Sequence, residues 1–232
     1  MERRSRPQTT AEAQFAQRDA ELSALDLADR FSRIYETNMW SDAQSRSGPG
    51  SSLDATAHLR EALSRMIATL DTRVLLDVPC GDFAWMAATP LENVSYIGAD
   101  IVTALVAENQ RCFGDARRRF VHLDLTRDPL PEADVVLCRD CLVHLSYANV
   151  WAAIANIRRS GARYLMTTSF PKRADNYDIV DGNWRPLDLQ APPFGFPEPV
   201  ASILEHCREE DGAYADKSLL VWRANDLPSA MD

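Results

Sequence analysis

Between residues 74 and 170 the chain alternates short, almost wholly apolar runs with longer stretches in which apolar residues recur at helical spacing. The apolar runs are VLLDV, SYIGADI, FVHLDL, DVVLCRD and ARYLMTTSF, of strand length and rich in branched residues. Strands apolar on both sides belong in a sheet covered on both faces, and crossovers between successive strands make that sheet parallel. Helices are predicted from about Asp82, from about Thr103 and over 146–159, whereas FVHLDL is followed by a short connection. Upstream, Phe15, Leu22, Leu25, Leu27, Phe31, Ile34 and Tyr35 recur at roughly helical spacing over 10–40, a pattern that ends near Asn38, Met39 and Trp40. SDAQSRSGPGSS is a loop by its Gly, Pro and Ser content, and a helix over 53–70 follows with Ser52 as its N-cap. Past the Pro-rich WRPLDLQAPPFGFPEPV, the runs SILEHC and KSLLVWRA are joined by the turn-rich EEDGAYAD, which predicts a hairpin with at least one strand antiparallel to the rest. The chain divides into a helical cap and loop at 1–52 and an α/β domain at 53–232, with no internal repeat.

Composition narrows the partners. A length of 232 residues suffices for one α/β domain with a sizeable core and does not require a second, and 46% hydrophobic with 25% charged residues is ordinary globular usage. Against 25 basic residues stand 34 acidic ones, so the net charge of −9 disfavours a nucleic-acid backbone and points to small molecules. The sequence leaves the oligomeric state open. No apolar run reaches the roughly 18 to 20 residues that span a bilayer, and the start MERRSRPQTTAEAQFAQRDAELS has no signal-peptide core; a cytoplasmic protein without membrane contact is expected. Arg3, Arg4 and Arg6 read as a solvated tail. The five cysteines, Cys80, Cys112, Cys138, Cys141 and Cys207, read as reduced thiols; Cys138 and Cys141 form a CxxC without the second ligand pair that a structural zinc needs, and no metal is expected.

In an open parallel sheet, ligands bind beyond the carboxyl ends of the strands where strand order reverses. Acids cluster at those places here. The turn of LLDVPCGDFAWM presents Asp77, Pro79, Cys80, Gly81, Asp82 and Phe83, with one glycine where phosphate loops carry several and often a lysine. Its carboxylates would repel a pyrophosphate but suit hydroxyls, an ammonium or a sulfonium. Asp100 lies nineteen residues after Gly81, where a carboxylate takes both hydroxyls of an adenosine ribose or, alternatively, caps the helix that follows Ile101. Asp124 suits an adenine amine while Leu125 packs on the ring. Asp77 serves either the turn's N–H groups or a ligand ammonium. Arg139, or the loop with Ser47 and Gly48, suits a ligand carboxylate. His144 is either a general base or a hydrogen-bonded histidine beneath the site; His58, His122 and His206 read as surface or structural residues. Asn176 and Tyr177, with Asp178 and Trp184, occupy an irregular stretch beyond the fifth strand, where loops carry function.

DVPCGDFAWM, YIGADIV, HLDL, LCRDCLVHLS, TTSF and GNWRPLDL together resemble a bacterial family of class I S-adenosylmethionine-dependent methyltransferases whose members often carry DVPCGDF. The resemblance spans the chain from IYETNMW to YADKSLLVW, departing at Ser41 and Gln44, where relatives often carry Gly and Glu. It implies a Rossmann-like α/β fold, a seven-stranded, mostly parallel sheet ending in an antiparallel hairpin, an N-terminal helical cap, and S-adenosylmethionine held by Gly81, Asp100 and Asp124. The chain also resembles azetidine-2-carboxylate synthases, which act on S-adenosylmethionine alone. That likeness implies a role in secondary-metabolite biosynthesis in which the ligand's neutral α-amine attacks its own γ-carbon. Tyr35, Trp40 and Phe83 would then shield the sulfonium while Asp140, Asn176 or Tyr177 positions the amine. Methyl transfer to a small acceptor, with His144 as base, is the alternative reaction, and a non-catalytic cofactor-binding protein is the third class.

Overall fold

A computed structural model of the protein describes residues 7–40, 45–172 and 175–229, so Ser41, Gln44 and the cluster of Arg3, Arg4 and Arg6 fall outside the described residues. The predicted apolar runs form one seven-stranded sheet of β1 (Val74–Asp77), β2 (Ser95–Asp100), β3 (Arg118–His122), β4 (Val135–Cys138), β5 (Tyr164–Ser169), β6 (Ala201–Leu204) and β7 (Ser218–Arg223). Their spatial order is β3-β2-β1-β4-β5-β7-β6. The first five pair in parallel, and β7 runs antiparallel to both β5 and β6, as the hairpin pattern predicts. Strand order reverses at β1, which lies between β2 and β4, so Asp77 stands opposite both Gly98 and Leu137.

Period-two alternation divides the strand side chains between two buried layers. Leu75, Val135, Leu137, Met166 and Val221 pack with α4 (Ala57–Thr69) and α6 (Thr103–Phe113). Leu76, Val136, Cys138, Leu165 and Trp222 pack with α7 (Tyr147–Arg159) and the Pro-rich segment around Phe194 and Phe196. The helix predicted over 146–159 begins one residue later, at Tyr147, with Ser146 as its N-cap accepting from the Asn149 N–H. Two other helix boundaries differ. α4 starts at Ala57 instead of at residue 53, because Ser52 caps a separate turn, taking the Ala55 N–H. The helix predicted from Asp82 shrinks to α5 (Ala84–Ala87), bounded by Phe83 in the left-handed region at φ 59° and by Pro90 three residues downstream.

The N-terminal pattern over 10–40 becomes three helices, α1 (Thr10–Gln17), α2 (Asp19–Ser23) and α3 (Leu27–Glu36). Thr9 and Glu12 close a capping box at the start of α1, and Asp26 restarts the chain as α3 by accepting from the Asp29 N–H. Local capping overrides an uninterrupted apolar periodicity. Arg30 folds back from α3 to donate to the carbonyls of Leu22, Ser23 and Leu25, and across to that of Asp181. It thereby satisfies carbonyls left open where α2 ends and fastens the helices to the loop after β5. Arg30→Met keeps the aliphatic stem but removes the side-chain donor from four carbonyls, of which that of Leu22 retains backbone N–H partners; the urea midpoint should fall by the equivalent of about 3 kcal/mol with an unchanged m-value.

Candidate active site

Beyond the carboxyl ends of β1, β2 and β4 lies a cavity of about 140 Å³ lined by Asp77, Gly81, Asp100, Asp124, Arg139 and Asp140, among others. The β1 turn that forms its edge is pinned from several sides. The Gly81 N–H donates to Asp100 Oδ2 at 3.2 Å, and the Gly81 carbonyl accepts from Asn109 Nδ2 at 2.7 Å. Gly81 sits at φ 53°, and a Cβ there would collide with Ser47 Oγ, which itself accepts the Asp82 N–H at 3.2 Å. Glycine is therefore required both by the backbone and by the close approach of the 45–51 loop.

Two of the lining carboxyls are buried and carry no cation of their own. Burial raises Asp77 to about 7, against the Tyr96 hydroxyl that donates to it at 2.6 Å and the more distant charge of Arg139. Burial also raises Asp100 to about 6, although its oxygens accept the N–H groups of Val102 and Gly81. Asp100 does not cap the following helix, whose N-cap position is Val102 without a side-chain cap; it lies on the cavity and takes the Val102 N–H in a local turn. Asp124 follows the end of β3 by two residues; it takes the Thr126 N–H and hydroxyl at 2.8 and 2.6 Å and pairs with Arg127 at 3.0 Å. Leu125, Ile101, Pro79 and Cys80 complete this end.

Charges of opposite sign meet at the end of β4. Arg139 donates to Glu205 Oε2 at 2.7 Å and to the Gly50 carbonyl at 2.9 Å, and lies over the Trp85 ring. Asp140 pairs with Lys217 at 2.6 Å and with Arg139 at 3.3 Å. Burial alone would raise the Asp140 carboxyl, but the Lys217 and Arg139 charges overcome it and hold the group well below the usual carboxylate range. Arg139 is therefore neutralised inside the protein, which weakens its assignment to a ligand carboxylate.

His144 is buried, and burial lowers it to about 4, so the ring is neutral at physiological pH. Its Nδ1 lies 2.8 Å from the Asn183 carbonyl, which can only accept; Nδ1 therefore carries the proton and Nε2 a lone pair. The ring also stacks against Trp40 at 4.9 Å. Both sequence alternatives for His144 meet here, as a hydrogen-bonded residue that retains a weakly basic nitrogen.

Tyr35, Trp40 and Ser47 line the cavity too, but Asp82, Phe83, Asn176, Tyr177 and Asp178 do not, and Gly48 and Trp184 line a neighbouring hollow. Phe83 turns into the core between Tyr96, Phe113 and Phe120, with ring centroids 4.9 to 5.1 Å apart, because its left-handed backbone aims the side chain away from the ligand side. Asp82 is consumed locally by the N–H groups of Arg46 and Ala84. Asn176 braces its own loop, donating to the Asp188 and Pro192 carbonyls and accepting from the Asp188 N–H. Tyr177 is 36% exposed. Conversely, Phe31, Trp85, Thr126 and Cys141 line the cavity without having been singled out, and Lys217 and Glu205 complete its charge balance from the remote hairpin. The aromatic residues were visible in the cap and turn patterns; Lys217 left no local signal. No group of three or more metal-ligating side chains occurs among the described residues, and all five cysteines are free thiols.

The raised pKa of Asp77 has a defined sign in stability. A carboxyl raised from its ordinary value to about 7 contributes stability that is complete at low pH and lost as pH rises through about 7. Asp77→Asn keeps an acceptor for the Tyr96 hydroxyl but cannot ionise. Its melting temperature should exceed that of the parent at pH 8, with the gap closing toward pH 4, as read by thermal denaturation across that range.

No family model and no curated protein matches the sequence. Solved structures do match its fold. The Burkholderia thailandensis 1,6-didemethyltoxoflavin-N1-methyltransferase, solved with 1,6-didemethyltoxoflavin and S-adenosylhomocysteine, aligns at a TM-score of 0.58 with 19% identity over 89% of each chain. Human N-acetylserotonin methyltransferase in complex with S-adenosylmethionine aligns at 0.55 with 13% identity, covering 96% of this chain and 67% of that one. The PH0226 protein of Pyrococcus horikoshii aligns at 0.51 with 16% identity over 72% of this chain and 88% of that one. At such identities the likeness speaks for architecture: a Rossmann-like class I methyltransferase fold, as the sequence resemblance implied.

Proposed function

We propose that the protein binds S-adenosylmethionine and transfers its methyl group to a small molecule, in natural-product chemistry. The observation that carries this reading is a single cavity with Gly81, Asp100 and Asp124 at successive strand ends, closed at its other side by a wall shared with a second hollow. In this reading Asp100 accepts the ribose hydroxyls, Gly81 admits the ligand against bare backbone, and Asp124 with Leu125 receives the adenine. Phe31 and Trp40 line the same cavity and would offer ring faces to a sulfonium, each worth about 0.5 to 2 kcal/mol, whereas the Tyr35 and Trp85 rings already carry Arg46 and Arg139 on one face. The second hollow supplies room for an acceptor, which the sequence alone did not reveal.

A second reading, cyclisation to azetidine-2-carboxylate, is favoured by Asp77. Its carboxyl, raised to about 7 by burial, lies on the cavity, where it would accept a proton from the ligand ammonium. The freed amine pair would then attack the γ-carbon as the carbon–sulfur bond breaks, releasing methylthioadenosine. Incubation with S-adenosylmethionine alone, resolved by mass spectrometry, separates the readings. Methyl transfer predicts cofactor binding without enzyme-dependent methylthioadenosine, and S-adenosylhomocysteine once an acceptor is added. Equal amounts of methylthioadenosine and azetidine-2-carboxylate would install the second reading, and binding with no product from any acceptor would leave a non-catalytic binder. Asp100→Ala should weaken S-adenosylmethionine binding by about thirtyfold in calorimetry. Trp40→Ala should lower turnover more than affinity; equal losses in both would remove Trp40 from the transition state.

A further inference from the structure

The second hollow, of about 200 Å³, lies across a wall made of Trp40, Ser47, Asp140 and His144, which line both spaces. Its far side is aromatic. Trp184 meets Tyr214 edge-on at 4.9 Å, and Phe170 meets each of them at 6.0 Å. The β6–β7 connection adds the carboxylates Glu209 and Glu210.

The charge balance of this hollow is uneven. Lys217 lines it but is engaged by Asp140 at 2.6 Å and Glu205 at 3.6 Å, and Arg139 by Glu205 and Asp140, so these two cations and two carboxylates cancel. Neither Glu209 nor Glu210 forms an ion pair among the described residues, and Glu209 has only a weak contact from Cys207 Sγ at 3.8 Å. Burial pushes the Glu209 carboxyl upward in spite of the Lys217 and Arg139 charges, which Asp140 and Glu205 already share. Among the described residues, the cations at this hollow are already paired. At the shared wall, His144 is only 8% exposed, and its Nε2 has no hydrogen-bond partner among the described residues. Nε2 is still solvent-reachable, and as the unprotonated ring nitrogen it can accept a hydrogen bond from a donor in the hollow.

We infer that the second hollow is the acceptor subsite and takes a small planar molecule that carries a protonated amine at one end and a hydroxyl or aromatic N–H at the other. The inference rests on the methyl-transfer reading. The amine lies toward Glu209 and Glu210, the ring packs on Trp184 and Tyr214, and the hydroxyl or N–H donates to His144 Nε2. In the transfer, a lone pair of the acceptor oxygen or nitrogen forms the bond to the methyl carbon. The carbon–sulfur pair returns to sulfur, giving S-adenosylhomocysteine, and the acceptor's proton passes to Nε2 and then to water. A weakly basic imidazole is adequate because a methylated oxonium or arylammonium is strongly acidic.

Binding to the full-length protein saturated with S-adenosylhomocysteine, followed by tryptophan fluorescence, tests the inference with tyramine, the uncharged tyrosol and the anionic 4-hydroxyphenylacetate. Tyramine should bind about tenfold more tightly than tyrosol, and the carboxylate least. Glu209→Gln combined with Glu210→Gln should erase that preference while S-adenosylhomocysteine affinity stays within twofold. Equal binding of the three probes, preference for the carboxylate, or an unaltered preference in the double variant would overturn the assignment. Failure of S-adenosylhomocysteine itself to bind would instead sink the cofactor reading, and the two failures are read separately.

Discussion

Four charges meet beyond the end of β4: Arg139 and Asp140 from the strand end, Glu205 after β6 and Lys217 before β7. None of these partners is near another in sequence except the first two. The β5–β7 ladder joins the hairpin to the parallel strands, the charges link their ends, and the Arg139 bond to the Gly50 carbonyl brings the 45–51 loop into the same knot. A buried pair of this kind contributes little net stability over apolar packing, yet removal of one member strands its partner. Its value is positional. Asp140 remains ionised at the boundary between the two hollows because Lys217 and Arg139 stand beside it.

The β1 and β2 ends follow the opposite principle. Asp77 and Asp100 are buried with hydroxyl and N–H donors but without adjoining cations, and both are pushed toward neutrality. Such groups are costly in an empty protein and become useful when a ligand brings hydroxyls or positive charge. Placing uncompensated acids beside a locked ion cluster divides the cavity into a hydroxyl- and cation-seeking region and an electrostatically closed one.

Much of this was legible in the chain. The strand runs, the hairpin, the single-glycine turn and the acids at Asp77, Asp100 and Asp124 follow from local periodicity and spacing, which strand geometry converts directly into position. Phe83 escaped because one left-handed residue reverses the direction of a side chain, and aromatic content carries no record of backbone sign. Asn176 escaped because a loop amide finds backbone partners as readily as a ligand. Lys217 escaped because its partner Asp140 is 77 residues away, a relation that only the folded sheet creates.

The wall between the hollows is not an isolated side chain. The Gly182 N–H donates to the His144 carbonyl at 2.7 Å, the Arg185 N–H to the Val143 carbonyl at 3.0 Å, and the imidazole itself is tethered to Asn183. His144 and the 182–185 strip are therefore tied into one hydrogen-bonded unit. Were a ligand on one face to displace this unit, the resulting change in affinity on the other face would be equal in both directions by thermodynamic reciprocity.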